Sequence, residues 1–326
     1  MFPLGKYKLS LDPWRIPLVE EEYLEESADI GSSDIETSVW KPLEGTPSFN
    51  TKVVFVDGVR RTEALIYIED DEGNLRRGAF VSVAAGALFI EHGKLNDIRD
   101  SLCNCAVKRY LFLEKDLNTE KEYFELSSMR IKFKIKKIEG EISPNVNREM
   151  SNLEVLVAEK TLKEVKSELI LTDGTVHYSA VLKDLPFVGY VKKHKRMYIP
   201  SEKTYILREL KRGQRTPIIL IHSQPTMDSR ESSNLDKFTW YVRISEDEGL
   251  GGICRLEVSA GLGLEKAKKI ADITAWLIPQ FASNEFTDKR APQNLLPIKH
   301  LENSLRRRLG SQSLIRRTLM RDLFMT

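Results

Sequence analysis

The sequence predicts a mixed α/β protein, and three observations predict it. Short apolar runs rich in β-branched residues begin at Val53 and return along most of the chain. Two longer segments, 147–167 and 264–281, carry apolar residues at a spacing near 3.6. The 326 residues are 41% hydrophobic and 30% charged, enough for a large core and a polar surface in one elaborate domain or two smaller ones.

Residues 1–50 read as an irregular N-terminal segment, interrupted by Pro3, Pro13, Pro17, Pro42 and Pro47. Within it, Glu20–Glu26 is acidic and reads as a short exposed helix, either a solvated face or a docking segment for a partner. Residues 51–326 form the main domain.

From Lys52 the pattern turns to strand. Val53–Val56, Glu63–Ile68 and Ala79–Ile90 are consecutive candidates, with Gly73-Asn74 as a turn, and read as an antiparallel meander. Lys94–Tyr110 is compatible with a helix. Arg130–Lys136 alternates basic and apolar residues, a strand with one basic face. It is either an edge strand guarded by lysines or a face turned to nucleic acid.

Asn147–Ser167 reads as a helix, preceded by Pro144 and capped by Asn145 or Asn147. Its apolar stripe is Met150, Leu153, Leu156, Val157, Leu162 and Val165. Glu154 lies at the margin of that stripe, with Glu149, Glu159 and Glu164 as competing carboxylates. Strands follow at Leu169–Thr172, Leu185–Val191, Pro217–His222, Phe238–Ser245 and Gly252–Val258. A short helix at Leu207–Arg212 ends at Gly213. Leu264–Phe281 is an amphipathic helix, and Leu301–Thr326 a strongly basic one containing Arg306 and Arg307.

The chemistry points to carboxylates. Val53-Val-Phe-Val-Asp-Gly58 and Leu169-Ile-Leu-Thr-Asp-Gly174 each deliver an aspartate, Asp57 or Asp173, to the end of an apolar run. Asp-Gly is also a strong hairpin signal, so both aspartates have a turn-only reading. As ligands, the two aspartates and a helix glutamate would hold a divalent metal. Lys192–Arg196 is basic throughout, counting His194. It is either solvated surface or a phosphate-backbone contact through Lys192, Lys193 and Arg196. The net charge is only +2, so nucleic-acid binding would need such local patches.

Other chemistries find no support. There is no Walker loop, no G-x-G-x-x-G after a strand, no G-x-S-x-G and no H-E-x-x-H. Three cysteines without framework spacing imply a reducing compartment, and Cys103-Asn-Cys105 is too tight for a zinc knuckle. No apolar run approaches the ~20 residues of a membrane span, and no signal core is evident. The expected location is cytoplasmic.

In their order, these stretches resemble the NurA nucleases, DNA-end-processing partners of the HerA hexameric ATPase. The resemblance rests on Phe55-Val-Asp-Gly-Val-Arg60, on Glu154 ahead of Leu169-Ile-Leu-Thr-Asp-Gly174, and on Val188-Gly-Tyr-Val-Lys192. It extends through Leu210–Pro217, Tyr241-Val-Arg243, Arg255-Leu-Glu257 and the Pro292–His300 segment. Pro292 stands where the family often has a tyrosine.

The resemblance implies a ribonuclease H-like core, with a central mixed sheet flanked by helices, and an annular homodimer. It further implies Mn²⁺-dependent cleavage, with Mg²⁺ as the alternative ion, at single- and double-stranded DNA ends. Asp57, Glu154 and Asp173 would be the metal-binding carboxylates, with His300 near the metals. Such a donor set suits hard divalent ions, two of which about 3.5–4 Å apart would serve phosphodiester cleavage. Lys192, Lys193, Arg196, Arg306 and Arg307 are the residues expected to face DNA. The competing reading is a non-catalytic adaptor that binds nucleic acid or an ATPase.

Overall fold

The computed structural model describes residues 8–11, 28–48, 51–69, 73–91, 102–117, 119–176, 186–192, 196–223, 236–246, 249–284 and 291–324. Among them, fourteen strands join in one mixed sheet. These are β1 (Lys8–Leu11), β2 (Ala28–Ser32), β3 (Leu43–Glu44), β4 (Lys52–Glu69), β5 (Leu75–Glu91), β6 (Leu102–Glu114) and β7 (Tyr123–Glu125). Then follow β8 (Lys132–Ile138), β9 (Leu169–Asp173), β10 (Phe187–Val191), β11 (Gln214–Arg215), β12 (Ile219–Ser223), β13 (Lys237–Arg243) and β14 (Ile253–Ser259). The helices are α1 (Ile142–Glu164), α2 (Ile206–Glu209), α3 (Leu264–Phe281), α4 (Leu296–Arg308) and α5 (Gln312–Phe324). The mixed sheet flanked by helices is the predicted fold class.

The strands run in the order β2-β12-β13-β14-β10-β9-β4-β5-β6-β8-β7. β4, β5 and β6 form an antiparallel meander. After α1 the chain returns as β9, parallel to β4, and β10 lies parallel to β9. A helix between two parallel strands is what such a crossover requires.

Two helical layers cover the sheet's centre. Alternation along β4 sends Val54 and Val56 to one face, against Leu153, Val157 and Ala158 of α1. Val53, Phe55 and Val59 face the other side, against α3 and the α4 residues Leu301 and Leu305. Helix α4 comes close because Gly86 lies beneath it: a Cβ there would sit 3.0 Å from both Leu301 Cδ1 and Leu305 Cδ2. Beyond a register shift between Thr62 and Ala64, β4 and β5 continue into a separate core. There Ile66, Ile68 and Phe80 pack on Ile315, Leu319 and Leu323 of α5.

Several expectations are corrected. Val53–Val56 and Glu63–Ile68 are parts of one strand, because β4 pairs continuously with β5 and so runs straight through Asp57-Gly58. The part of Lys94–Tyr110 that is described is strand, not helix: Leu102–Tyr110 belongs to β6, paired with β5. Helix α1 starts at Ile142, with Pro144 in its first turn, where the missing N–H has no helical partner to lose. Neither asparagine caps it; Asn145 Nδ2 instead donates to the Glu141 carbonyl at 2.8 Å. Leu156, placed on the buried stripe, is 50% exposed.

The Arg130–Lys136 strand is not an edge, since β7 covers β8. The basic C-terminal helix is two helices, broken where Gly310 adopts φ +80°. Within residues 1–50, the described stretches 8–11 and 28–48 contain strands that join the sheet. β1 pairs with β4, β2 with β12 and β3 with β11, and Glu36 makes a double contact with the buried Arg215 guanidinium. The acidic stretch Glu20–Glu26 lies outside the described residues. Among those residues, no helix is long and apolar enough to cross a membrane.

Candidate active site

The site forms where β9 stops pairing with β4. Val56 pairs with Thr172, the last registered pair, so Asp57 and Asp173 follow side by side. Asp57 is in step with Val53 and Phe55, and Asp173 with Leu169 and Leu171, so both belong to the α3–α4 face. Asp173 ends its strand as expected, and Gly174 after it takes φ +102°, a conformation suited to glycine. Asp57 does not end a strand. It stands mid-strand, at the point where its neighbour β9 terminates.

Glu154 arrives from the opposite face. Gly58 is in step with Val54 and Val56 beneath α1, and its missing side chain leaves the space that Glu154 Oε1 enters. Leu153 and Val157 beside it on α1 are buried, each contributing about 1.5–3 kcal/mol, and they fix the rotation that brings Glu154 inward. Two of the three competing glutamates are engaged elsewhere: Glu149 with Lys136, Glu164 with Asn104.

The charges are crowded. Asp57 is 9% exposed, and its Oδ1 accepts the Gly58 N–H at 2.8 Å. Burial, then the Asp173 carboxylate, push the Asp57 carboxyl well above its ordinary range; Glu154 and Glu302 add to this and Lys192 opposes it. Burial and Asp173 push the Glu154 carboxyl up to about 8, with Arg60 pulling the other way. Lys192, in step with Tyr190 just beyond β10, donates to Asp173 Oδ2 at 2.6 Å and to Asn294 Oδ1 at 3.1 Å.

The remaining predicted residues divide. His300 lies half-buried on α4. Arg306, exposed, pairs with Glu302 at 2.7 Å, and Arg307 is exposed on the same helix. Arg196 pairs with Asp29 on β2, at the far edge of the sheet from the carboxylates. Lys193 lies outside the described residues. Glu302 and Asn294 reach the site without having been foreseen, and neither carries a local sequence signal that would have found it.

The surroundings hold these groups in place. The Tyr190 hydroxyl donates to the Gln293 carbonyl at 2.7 Å, tying β10 to the segment that leads into α4. The last turn of α4 is held by guanidinium groups: Arg61 donates to the Gly310 and Leu309 carbonyls, and Arg109 to Leu309. Behind Asp173, Glu257 Oε1 accepts the Val176 N–H at 2.9 Å and faces the buried Lys237 and Arg255. Gly189 makes room for this contact, since a Cβ there would lie 2.9 Å from Val176 N.

Among the described residues, no three His, Cys, Asp or Glu side chains stand in a ready-made coordination cluster. Asp173 turns instead to the Lys192 ammonium. The donor chemistry nevertheless fits a hard divalent cation: three crowded carboxylates, desolvated at Asp57 and Glu154, all offering oxygen.

A family model, the NurA domain, matches residues 52–307. The chain belongs to the NurA family. This is a nuclease family, and the match covers β4 through most of α4, including Asp57, Glu154, Asp173, Lys192, Asn294 and Glu302. No curated protein matches the chain.

Proposed function

We propose that this NurA-family protein is a metal-dependent deoxyribonuclease that processes DNA ends in double-strand break repair by homologous recombination. The activity would combine 5′–3′ exonuclease and single-strand endonuclease cleavage, with a HerA-type hexameric ATPase as motor and a homodimer as the working unit. The observation that carries this reading is the convergence of Asp57, Asp173 and Glu154 at one point of a NurA domain. The turn-only reading of Asp57 loses its ground, because β4 runs straight through it.

Asp57 and Asp173, on adjacent strands, and Glu154, through the gap at Gly58, are the residues that would hold Mn²⁺ or Mg²⁺. The ion would supply Lewis acidity toward the phosphodiester and activation of water. The chain's own contribution is to fix the carboxylates on rigid elements and exclude bulk water around Asp57. Lys192 lies at the margin of the carboxylates, where an ammonium orients a phosphate. Arg306 and Arg307 extend a basic face along α4 toward the DNA backbone. The family's ribonuclease H-like core is supported by the β4-β5-β6 meander with parallel β9 and β10.

The test is cleavage of end-labelled linear single- and double-stranded DNA with Mn²⁺, Mg²⁺ or EDTA, with and without the ATPase. Metal-dependent degradation supports the reading, and the label pattern gives polarity. DNA binding without cleavage under every metal, with the motor present, would replace it with the adaptor reading.

A further inference from the structure

Lys192 has two partners of different kinds. Its ammonium donates to Asp173 Oδ2 at 2.6 Å and to Asn294 Oδ1 at 3.1 Å. Asp173 is an anion that a divalent cation would also claim. Asn294 is a neutral amide, fully buried, on the segment leading into α4. The lysine side chain is 18% exposed, so its charge acts in a partly desolvated space. The Tyr190 ring, 6.0 Å from the ammonium, flanks it. A divalent ion bound through Asp173 would stand within a few ångströms of this charge, and like charges at that range repel strongly.

We propose that Lys192 is a built-in competitor of the divalent cation at Asp173. Without metal its ammonium compensates the carboxylates. With metal it gives up Asp173, stays on Asn294, and faces the DNA phosphate. Asn294 is then a positioning residue: its neutral amide oxygen gives the displaced ammonium a partner other than Asp173. The proposal rests on the metal-dependent reading above and assigns roles to Lys192 and Asn294 that the metal site alone does not require.

The test is calorimetric titration of the full chain with Mn²⁺, without DNA, for wild type, Lys192→Met, Asn294→Ala and Asp173→Ala. Melting curves establish which variants are folded. Removing the competing charge in Lys192→Met should tighten Mn²⁺ binding on the order of tenfold. The same variant should cleave end-labelled DNA more slowly at saturating metal. Asn294→Ala, which leaves the ammonium on Asp173, should weaken Mn²⁺ binding a few-fold.

Unchanged or weaker binding by folded Lys192→Met overturns the proposal. Should that variant not fold, unchanged or tighter binding by Asn294→Ala overturns it. The two failures are distinguishable. Wild type that binds no Mn²⁺ removes the metal site itself and the competitor with it. Wild type that binds, lost in Asp173→Ala but unaltered by Lys192→Met, removes the competitor alone.

Discussion

The carboxylate of Glu154 occupies the space that a side chain at position 58 would fill. A Cβ on Gly58 would lie 2.3 Å from Glu154 Oε1 and 2.7 Å from Met150 Cγ. The glycine of the Asp57-Gly58 pair therefore does not make a turn. It opens the sheet to a glutamate from the opposite face. Gly58→Ala should displace Glu154, lowering cleavage about 100-fold, with an overpacking cost of about 1–3 kcal/mol. Cleavage rates and melting curves check both numbers. The loss in the Gly58→Ala, Glu154→Gln double variant should be far less than the sum of the single losses, because both act on one carboxylate.

The crowded carboxyls make the metal-free protein sensitive to pH. Glu154 titrates at about 8 in the folded state against a usual 4.5, and Asp57 is displaced in the same direction. Between those values the folded chain binds more protons than the unfolded one, so stability falls as pH rises from about 4.5 to about 8. Melts in EDTA across this range should show a decline of up to about 5 kcal/mol, flattened in Glu154→Gln. A stability that Glu154→Gln leaves with the same pH slope would contradict the assignment.

Glu257 is expected to matter more for stability than its distance from the carboxylates implies. Burial pushes its carboxyl up, but Lys237 and Arg255 hold it below its ordinary range. Glu257→Gln would remove the carboxylate charge that faces the buried Lys237 and Arg255 and weaken the hold on Val176, just after Asp173. The expected cost is about 3–5 kcal/mol, read by chemical denaturation. A loss below about 1 kcal/mol would mean that solvent reaches this cluster.

Much of the architecture was legible because the strands are apolar and the two large helices periodic; α3 has the predicted bounds, Leu264–Phe281. The misreadings share one cause, in that local pattern was overruled by pairing at a distance. Asp57-Gly58 has the form of a hairpin turn, yet its pairing with Gly86 and Ala85 of β5 keeps it extended. Residues 102–110 belong to a stretch read as helix, and their pairing with β5 makes them strand. At the site, Asp57 and Asp173 were visible as aspartates closing apolar runs, and Glu154 as a carboxylate beside a buried stripe. Glu302 was not, since an i,i+4 Glu–Arg pair on a basic helix looks like ordinary surface. Asn294 sits in a short irregular stretch between prolines, where no period marks which side chain turns inward.

Asp57 is the central carboxylate of the site, and the most direct measurement is cleavage of end-labelled linear DNA by Asp57→Asn beside wild type, with Mn²⁺ present. The substitution removes the charge while keeping the shape, so the variant should fold and still bind DNA. Its cleavage should fall by at least about 100-fold. Cleavage at the wild-type rate by folded Asp57→Asn would contradict the placement of the active site.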